Sequence, residues 1–545
     1  MKNLLKNKFW FGTGIILLVS LIIYGCDGFL DSTPKGQLDE TTLSNSEGVE
    51  GTLIGAYRML GGSPTPIRAN WGGAGSNWVW GSVAADDAYK GSENVDQPEI
   101  NDVERYQWGQ SGAEAYLNDK WRAVFEGVVR ANATIRLLNN VLENSPGELT
   151  DAAANSIRGE ALFLRAHYHF EGWRLWGNIP YFNEDDDNPR KTNVGVDVIA
   201  NIIGDLQAAA GLLPPTPRNG EVGRVTSWTA RAYLGRVQVN SGDFAGGLTT
   251  LREVRSSGPY ALEENFHRVW TGFQQFANGP ETILAYQASS NDGNPDGDNA
   301  NWGDRLNFPH SGSPFGCCGF HQPSQNLVNF FTVDANGLPL ALTDPNWNSR
   351  NENLTAADNN IPVDPRLDWT VGRDGVPYKD WGPHASGWIR DRGWGGPYSP
   401  KKNVHENASG AVSNVGWLPP QLNSVNIHLF RYADMLLLLA EAEVEAGSLE
   451  NAREIVNEIR ERAAAGVQGP GDGAGNIAVP IDDQSITWAD YRVGLYNAPW
   501  TDQQLARRAV RYERRVELAM EGHRLFDLRR WSIAENVLND YLSIE

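Results

Sequence analysis

The chain is short of sulfur and of positive charge. Its 545 residues hold 3 cysteines and 4 methionines, and 46 lysines and arginines stand against 67 acidic residues, a formal net charge of −21. So few cysteines exclude a disulfide-stapled scaffold, and a chain of this size buries enough surface without one. The negative balance counts against nucleic acid and anionic lipid as partners. Apart from one stretch near the N terminus, apolar runs of membrane length are missing. Common catalytic signatures are absent too: there is no G-x-S-x-G elbow, no H-E-x-x-H zinc motif and no phosphate-cradling G-x-x-x-x-G-K. A glycosidase needs only two carboxylates at the right separation, so hydrolysis stays open. No cofactor is implied.

What is present begins with "MKNLLKNKFWFGTGIILLVSLIIYGC". Lys2, Lys6 and Lys8 precede an apolar stretch from Phe9 to Tyr24, then Gly25 and Cys26. That is the layout of a secretory signal, too short and Gly-interrupted for an ordinary spanning helix. A cysteine after a small residue resembles a bacterial lipobox, which implies a signal peptide over 1–25 and an acylated Cys26. The alternative is an uncleaved anchor. A multiply acylated cysteine holds a protein firmly at a membrane, because each buried methylene contributes about 0.8 kcal/mol.

Helical periodicity is strong toward both ends. "SNSEGVEGTLIGAYRML" opens on a capping-box pattern, Ser44 to Glu47, and "YLNDKWRAVFEGVVRANATIRLLNNVL" spaces Trp121, Phe125, Val128, Asn132, Ile135 and Leu138 by three or four. A third helix, "IRGEALFLRAHYHFEGWRLWGNIPYF", is stopped by Gly177 and Pro180. Trp121, Trp173, Trp176 and Trp531 are read as core on such helices. Two segments, 233–254 and 438–459, align with Gly242 over Gly447, each an apolar helix, a tight turn and an amphipathic helix. They resemble tetratricopeptide-like hairpins. Between about 260 and 425 the periodicity gives way to Gly, Pro, Asn, Asp and eight tryptophans: Trp270, Trp302, Trp347, Trp369, Trp381, Trp388, Trp394 and Trp417. That aromatic content argues for an ordered insertion rather than disorder. The fold class is mostly α: a helical-hairpin scaffold (26–260 and 426–545) carrying an irregular, ligand-facing insertion (261–425) in a single domain, 26–545.

At this point several blocks carry a family. "CDGFLDSTP" (26–34), "RGEALFLRAHYHFEGWRLWGNIPY" (158–181), "GRVTSWTARAYLGRV" (223–237), "DPRLDWTV" (364–371), "RYADMLLLLAEAEVEAG" (431–447) and "YERRVELAMEGHRLFDLRRW" (512–531) resemble the SusD/RagB lipoproteins, in the family's order. The resemblance implies a non-catalytic, surface-exposed glycan-binding lipoprotein of the outer membrane. It would capture oligo- or polysaccharide and hand it to a SusC-like TonB-dependent transporter. The implied fold is helical, with four tetratricopeptide-like units and an irregular glycan-facing half. Two other readings remain: a lipid-anchored glycoside hydrolase, and a helical-repeat scaffold for protein partners. The net charge points to a neutral glucan as ligand.

The candidate ligand-binding residues follow from sugar chemistry, an apolar C–H face with polar edges that suits an aromatic ring beside amides and carboxylates. "NWGGAGSNWVWGSVAADDAYKG" (70–91) places Trp71, Trp78 and Trp80 near Asn77, Asp86 and Asp87. Alternation at 78 and 80 would put both rings on one side of an extended segment, the competing role being a core anchor. Trp302 joins them from the insertion. Asp292, Asn294 and Asp296 have the spacing of a calcium loop, but Pro295 interrupts it and Gly303 stands where a bidentate Glu belongs, so a polar turn is the better reading and no metal is assigned. "EDDDN" (184–188) reads as a solvated loop, and "RRAVRYERR" (507–515) as an exposed, salt-bridged helix face.

In "PFGCCGFHQ" (314–322) Cys317 and Cys318 are neighbours. They have three possible fates: zinc binding with His310 and His321, burial as thiols, or a disulfide. An oxidising compartment favours the disulfide. Neighbouring Cα atoms in trans lie about 3.8 Å apart, closer than disulfides usually join, so the ring would twist the peptide. Gly316 and Gly319 give the backbone that freedom. The pair, with Phe320, forms a candidate sulfur-faced platform for a sugar.

Overall fold

A computed structural model describes residues 40–62, 71–109, 111–416, 421–471 and 477–545. The signal segment, Cys26 and Trp417 lie outside the described residues.

After a single helical turn at Glu40–Leu43, the first long helix, α1 (Ser46–Arg58), starts one residue later than the capping box predicts. Asn45 is its N-cap, and its side chain accepts from the Gly48 amide at 2.8 Å. Next come α2 (Ser111–Asn144), α3 (Asp151–Trp176), α4 (Val198–Leu212), α5 (Ser227–Asn240) and α6 (Phe244–Ser257), each packed on its predecessor. Ser, Thr or Asp side chains cap several N termini: Thr150 before α3, Thr226 in a capping box with Thr229 before α5, and Asp243 before α6. After the irregular stretch come α7 (Tyr432–Ala446), α8 (Leu449–Ala465), α9 (Gln503–Leu518) and α10 (Arg524–Arg530). The two aligned hairpins are α5–α6 and α7–α8. The turn glycine Gly242 has φ 89°, which favours glycine. Gly447 is not left-handed; a Cβ there would strike the Glu443 carboxylate.

α6 packs on α7 although the whole insertion lies between them, so the hairpins stack as one solenoid. The insertion is closed at its base by an antiparallel ladder, β2 (Thr282–Tyr286) on β4 (Ile427–Arg431). A second ladder, β1 (Ala88–Gly91) on β3 (Phe320–Pro323), ties the N-terminal part to the insertion. Among the described residues every sheet has two strands. One core fills the helical stack; another lies beneath the irregular half and contains Trp71, Trp78, Trp80, Phe320 and Cys318. α9 bridges the two, giving Ala506, Ala509 and Val510 to the first and Tyr512 and Val516 to the second.

Two expectations are corrected here. Arg514 and Arg515, read as part of an exposed face, are buried in ion pairs with Asp434, Asp527, Asp86 and Asp87. Trp121, read as core, is 36% exposed, because its face of α2 points out of the stack, and Trp173 and Trp176 are only half-buried. The other two readings of charge agree with the structure. Glu184 and Asp186 lie in a surface loop, paired with Arg165 and Lys191. Asp292 Oδ1 accepts from the Asn294 amide and Asn294 Oδ1 from the Asp296 amide, a pair of Asx turns.

Candidate functional site

The expected aromatic cluster exists, but as a foundation. Residues Trp78–Val83 form a π-helical turn instead of an extended segment, and both rings are 1% exposed. Trp78 Nε1 donates to the Gly303 carbonyl at 3.0 Å and Trp80 Nε1 to that of Gly72 at 2.9 Å, so each buried indole has its polar atom satisfied. Trp71 and Trp302 are buried as well, with the Arg305 guanidinium 5.5 Å from each ring. Buried Asn77 donates to Glu171 at 2.8 Å. Asp86 accepts from Arg524 at 2.6 and 3.0 Å and pairs with Arg515, which also holds Asp87 at 3.0 Å. Burial pushes both carboxyls up; for Asp86 the two guanidiniums win and hold it low, whereas burial and the neighbouring Asp86 charge leave Asp87 raised. All of these candidate residues are buried. Their roles are packing and charge pairing.

What this layer supports is a loop. Trp78 meets Phe320 edge-on at 6.3 Å and His321 at 5.7 Å, and the chain N-terminal to them, 309–319, rises to the surface. There Cys317 and Cys318 are joined by a disulfide across a cis peptide, with Cα atoms 3.2 Å apart. Gly316 and Gly319 on either side have φ 81° and 80°, the region that favours glycine. Cys318 is buried and Cys317 half-exposed, so one sulfur of the ring shows at the surface. His321 is buried and its imidazole is pushed down to about 3 by burial; among the described residues no cluster suited to a metal occurs.

Distant segments hold the loop. Gln421 Nε2 donates to the Cys317 carbonyl. The His310 amide donates to the Trp388 carbonyl at 2.7 Å, and the Ser92 amide to that of Gly319 at 2.5 Å. Arg390 donates to Ser92 Oγ at 3.0 Å and to Asp96 at 2.8 Å, and pairs with Glu93. On one flank the half-exposed Trp381 meets buried Phe315 at 4.8 Å, its indole N–H donating to the His405 carbonyl at 2.8 Å. On the other, the half-exposed Trp394 lies 5.4 Å from both Lys90 and Arg105. Burial and Arg390 lower the His310 imidazole, which keeps it neutral near pH 7.

The loop's outer surface carries a sulfur ring and exposed Ser311, Pro314 and Gly316. The Arg390–Glu93–Asp96 charge group is tied to it through Ser92, and Trp381 and Trp394 are half-exposed on neighbouring segments. Of the candidate ligand-binding residues, only Cys317 reaches this surface. Trp381 and Trp394 were visible as loop tryptophans, but nothing local separates them from the buried Trp388. Arg390 and Gln421 left no signal at all.

Comparison with known proteins agrees with this architecture. A family model described as "SusD family" matches residues 280–543, and a second, described as "Starch-binding associating with outer membrane", matches 28–239. The chain belongs to the SusD/RagB family. Among its SusD-like relatives, SusD-like protein P25 of Formosa agariphila is 23% identical, covering 96% of this chain and 91% of that one. A SusD-like protein of Bacteroides ovatus is 28% identical over 53% of this chain and 50% of its own. Among solved structures, a SusD-like carbohydrate binding protein from Bacteroides fragilis superposes with a TM-score of 0.65 at 21% identity, covering 91% of this chain and 88% of that chain. A laminarin binding SusD-like protein gives 0.60 at 20%, covering 91% and 94%. These likenesses show the SusD-like fold, helical scaffold and irregular half together.

Proposed function

We propose that this SusD-like chain is a cell-surface glycan-binding lipoprotein that performs no catalysis. It captures a neutral glucan on the face built around Cys317–Cys318, between Trp381 and Trp394. It is held at the outer membrane by acylated Cys26 and passes its ligand to a SusC-like TonB-dependent transporter. The observation that carries the reading is membership of a family with a starch-binding model over residues 28–239, joined to a face of sugar-binding composition. Aromatic rings stack on the C–H face of a pyranose while hydroxyls, amides and a charged group meet its edge. The relatives' names favour the same class: one neighbour is a laminarin binding protein.

The test is retention on immobilised starch and laminarin with product assayed in the same run. Wild type is retained and releases no shortened oligosaccharide. Trp381→Ala/Trp394→Ala binds about tenfold more weakly, a loss of ~1.4 kcal/mol. Released product would replace the binding reading with hydrolysis, and unchanged affinity in the double variant would move the site elsewhere.

A further inference from the structure

A cleft of about 380 Å³ opens on the helical side of the molecule, between α2 and the segment 180–191 that follows α3. That volume is within the range of small-ligand sites. Its floor is aromatic: Trp121, Phe125 and Phe182. Trp121 is the unusual member, because a tryptophan in the middle of a helix is ordinarily turned inward, and this one is 36% exposed. It is not loose. Trp176 meets it edge-on at 5.1 Å and Phe125 lies 4.3 Å away, so the ring's orientation is fixed without any ligand.

The rim is polar and electrically balanced. Lys191 pairs with Asp186 at 2.7 Å and cancels it. Arg136 donates to the Glu184 carbonyl at 3.1 Å through one of its five N–H groups. Exposed Asp187 has no ion pair or hydrogen bond among the described residues. One guanidinium, one carboxylate and the Asn188 amide therefore line the cleft with no net charge, Arg136 about four turns along α2 from the Trp121 indole. A lipid tail would leave this rim without partners, and an anion would meet Asp187. A neutral oligosaccharide of several sugars satisfies floor and rim together.

We infer that this cleft is a second sugar-binding site, with a pyranose of a neutral glycan lying on Trp121. The inference rests on the glycan-binding reading proposed above, and adds a contact on the helical half, away from the disulfide face. Two sites on one chain raise retention on a polymer without any change in the affinity of either.

Wild type, Trp121→Ala and Val129→Arg are compared on immobilised starch and laminarin, with the thermal midpoint of each measured. Val129 lines the cleft and is 56% exposed, so arginine there obstructs the floor without touching the core. The expected result is about fivefold weaker retention of both variants on the polymer that holds wild type, with the Val129→Arg midpoint unchanged. Wild-type retention in both variants overturns the second site and leaves the glycan reading standing. Loss in Trp121→Ala alone marks damaged packing and also overturns it. Wild type held by neither polymer removes the glucan reading and this inference with it.

Discussion

At the scale of single residues, the same side-chain type carries opposite roles according to what covers it. Trp78 and Trp80 are sealed under the irregular half, while Trp381, Trp394 and Trp121 keep a face toward water. Trp78→Ala or Trp80→Ala therefore costs about 3–5 kcal/mol of stability, the price of an emptied aromatic site. Urea unfolding measures it, and a variant as stable as wild type would contradict the burial. The cysteine pair behaves differently. A disulfide between neighbours closes almost no chain, so it restrains the unfolded state least of all possible bridges. Cys317→Ser/Cys318→Ser is expected to unfold within about 1 kcal/mol of wild type, yet to weaken glucan retention by more than the unfolding change explains. Equal retention would leave the ring as a packing detail.

At the scale of elements, α9 is where the charge is concentrated. Its Glu517 is shared by Arg366, Arg431 and Arg462, all buried, and Arg431 also reaches Glu281 and Glu521. Arg431 sits at the last residue of β4, so one guanidinium fastens the ladder, α9 and the segment after it. Removing it takes one cationic partner from each of three buried carboxylates and leaves them to Arg366, Arg462 and Lys402. Arg431→Met is expected to lose about 3–5 kcal/mol, and Arg431→Lys to recover only part, since an ammonium lacks the planar fork. A urea midpoint unchanged by Arg431→Met would show that the cluster adds nothing to stability.

These elements also show what a sequence makes visible. The hairpins around Gly242 and Gly447 could be read because periodicity and a turn glycine are local signals. The destination of α9's arginines could not, because their partners Asp86, Asp87 and Asp434 come from remote segments and look solvated in isolation. Trp78 and Trp80 misled for a related reason: alternation suggests a strand, but a π-helical turn turns both rings inward. Trp121 obeys the helical spacing and is partly exposed because Trp176 and Phe125 cover only part of its ring and the rest opens on a cleft. Spacing tells which residues share a face; it does not tell whether the face is covered.

At the scale of the whole molecule, buried titratable groups set the response to acid. His167, His169, His267, His321 and His405 are held down to about 3, and His428 and His523 to about 4, in each case chiefly by burial. An unfolded chain takes up protons at these positions below about 6.5 while the fold refuses them, so stability falls as pH drops through 6.5. Glu517 adds a second stage. Burial raises its carboxyl but Arg462, Arg431 and Arg366 hold it well below 4.5, and its contribution is lost as pH falls under that value. Glu104 and Asp304, raised by burial to about 7 and about 6, act in the opposite sense, as do the raised carboxyls of Asp87, Asp119, Glu263 and Glu545, but the seven histidines outnumber these six. Thermal midpoints should decline from pH 7 to 5 and more steeply below 4.5; a flat profile would contradict the burial of the histidines. For the assembled protein, Cys26→Ala should leave the fold intact and release it from membranes or block processing. Gentle solubilisation of native membranes should bring down a TonB-dependent barrel with the wild type, and repeated isolation of a lone chain would argue against that partnership.

The ladder of β2 on β4 has a consequence for biosynthesis. β2 is made early in the insertion and β4 just after it, so a ribosome must deliver everything from Gln287 to Asn426 before either strand finds its partner. Until then Thr282–Tyr286 carries an open edge, and α6 waits for α7 with its apolar side bare. Chains cut short by a premature stop inside the insertion would hold both liabilities permanently. They should collect as aggregates rather than as half-size proteins, and a working copy can come only from translation carried through to the far strand.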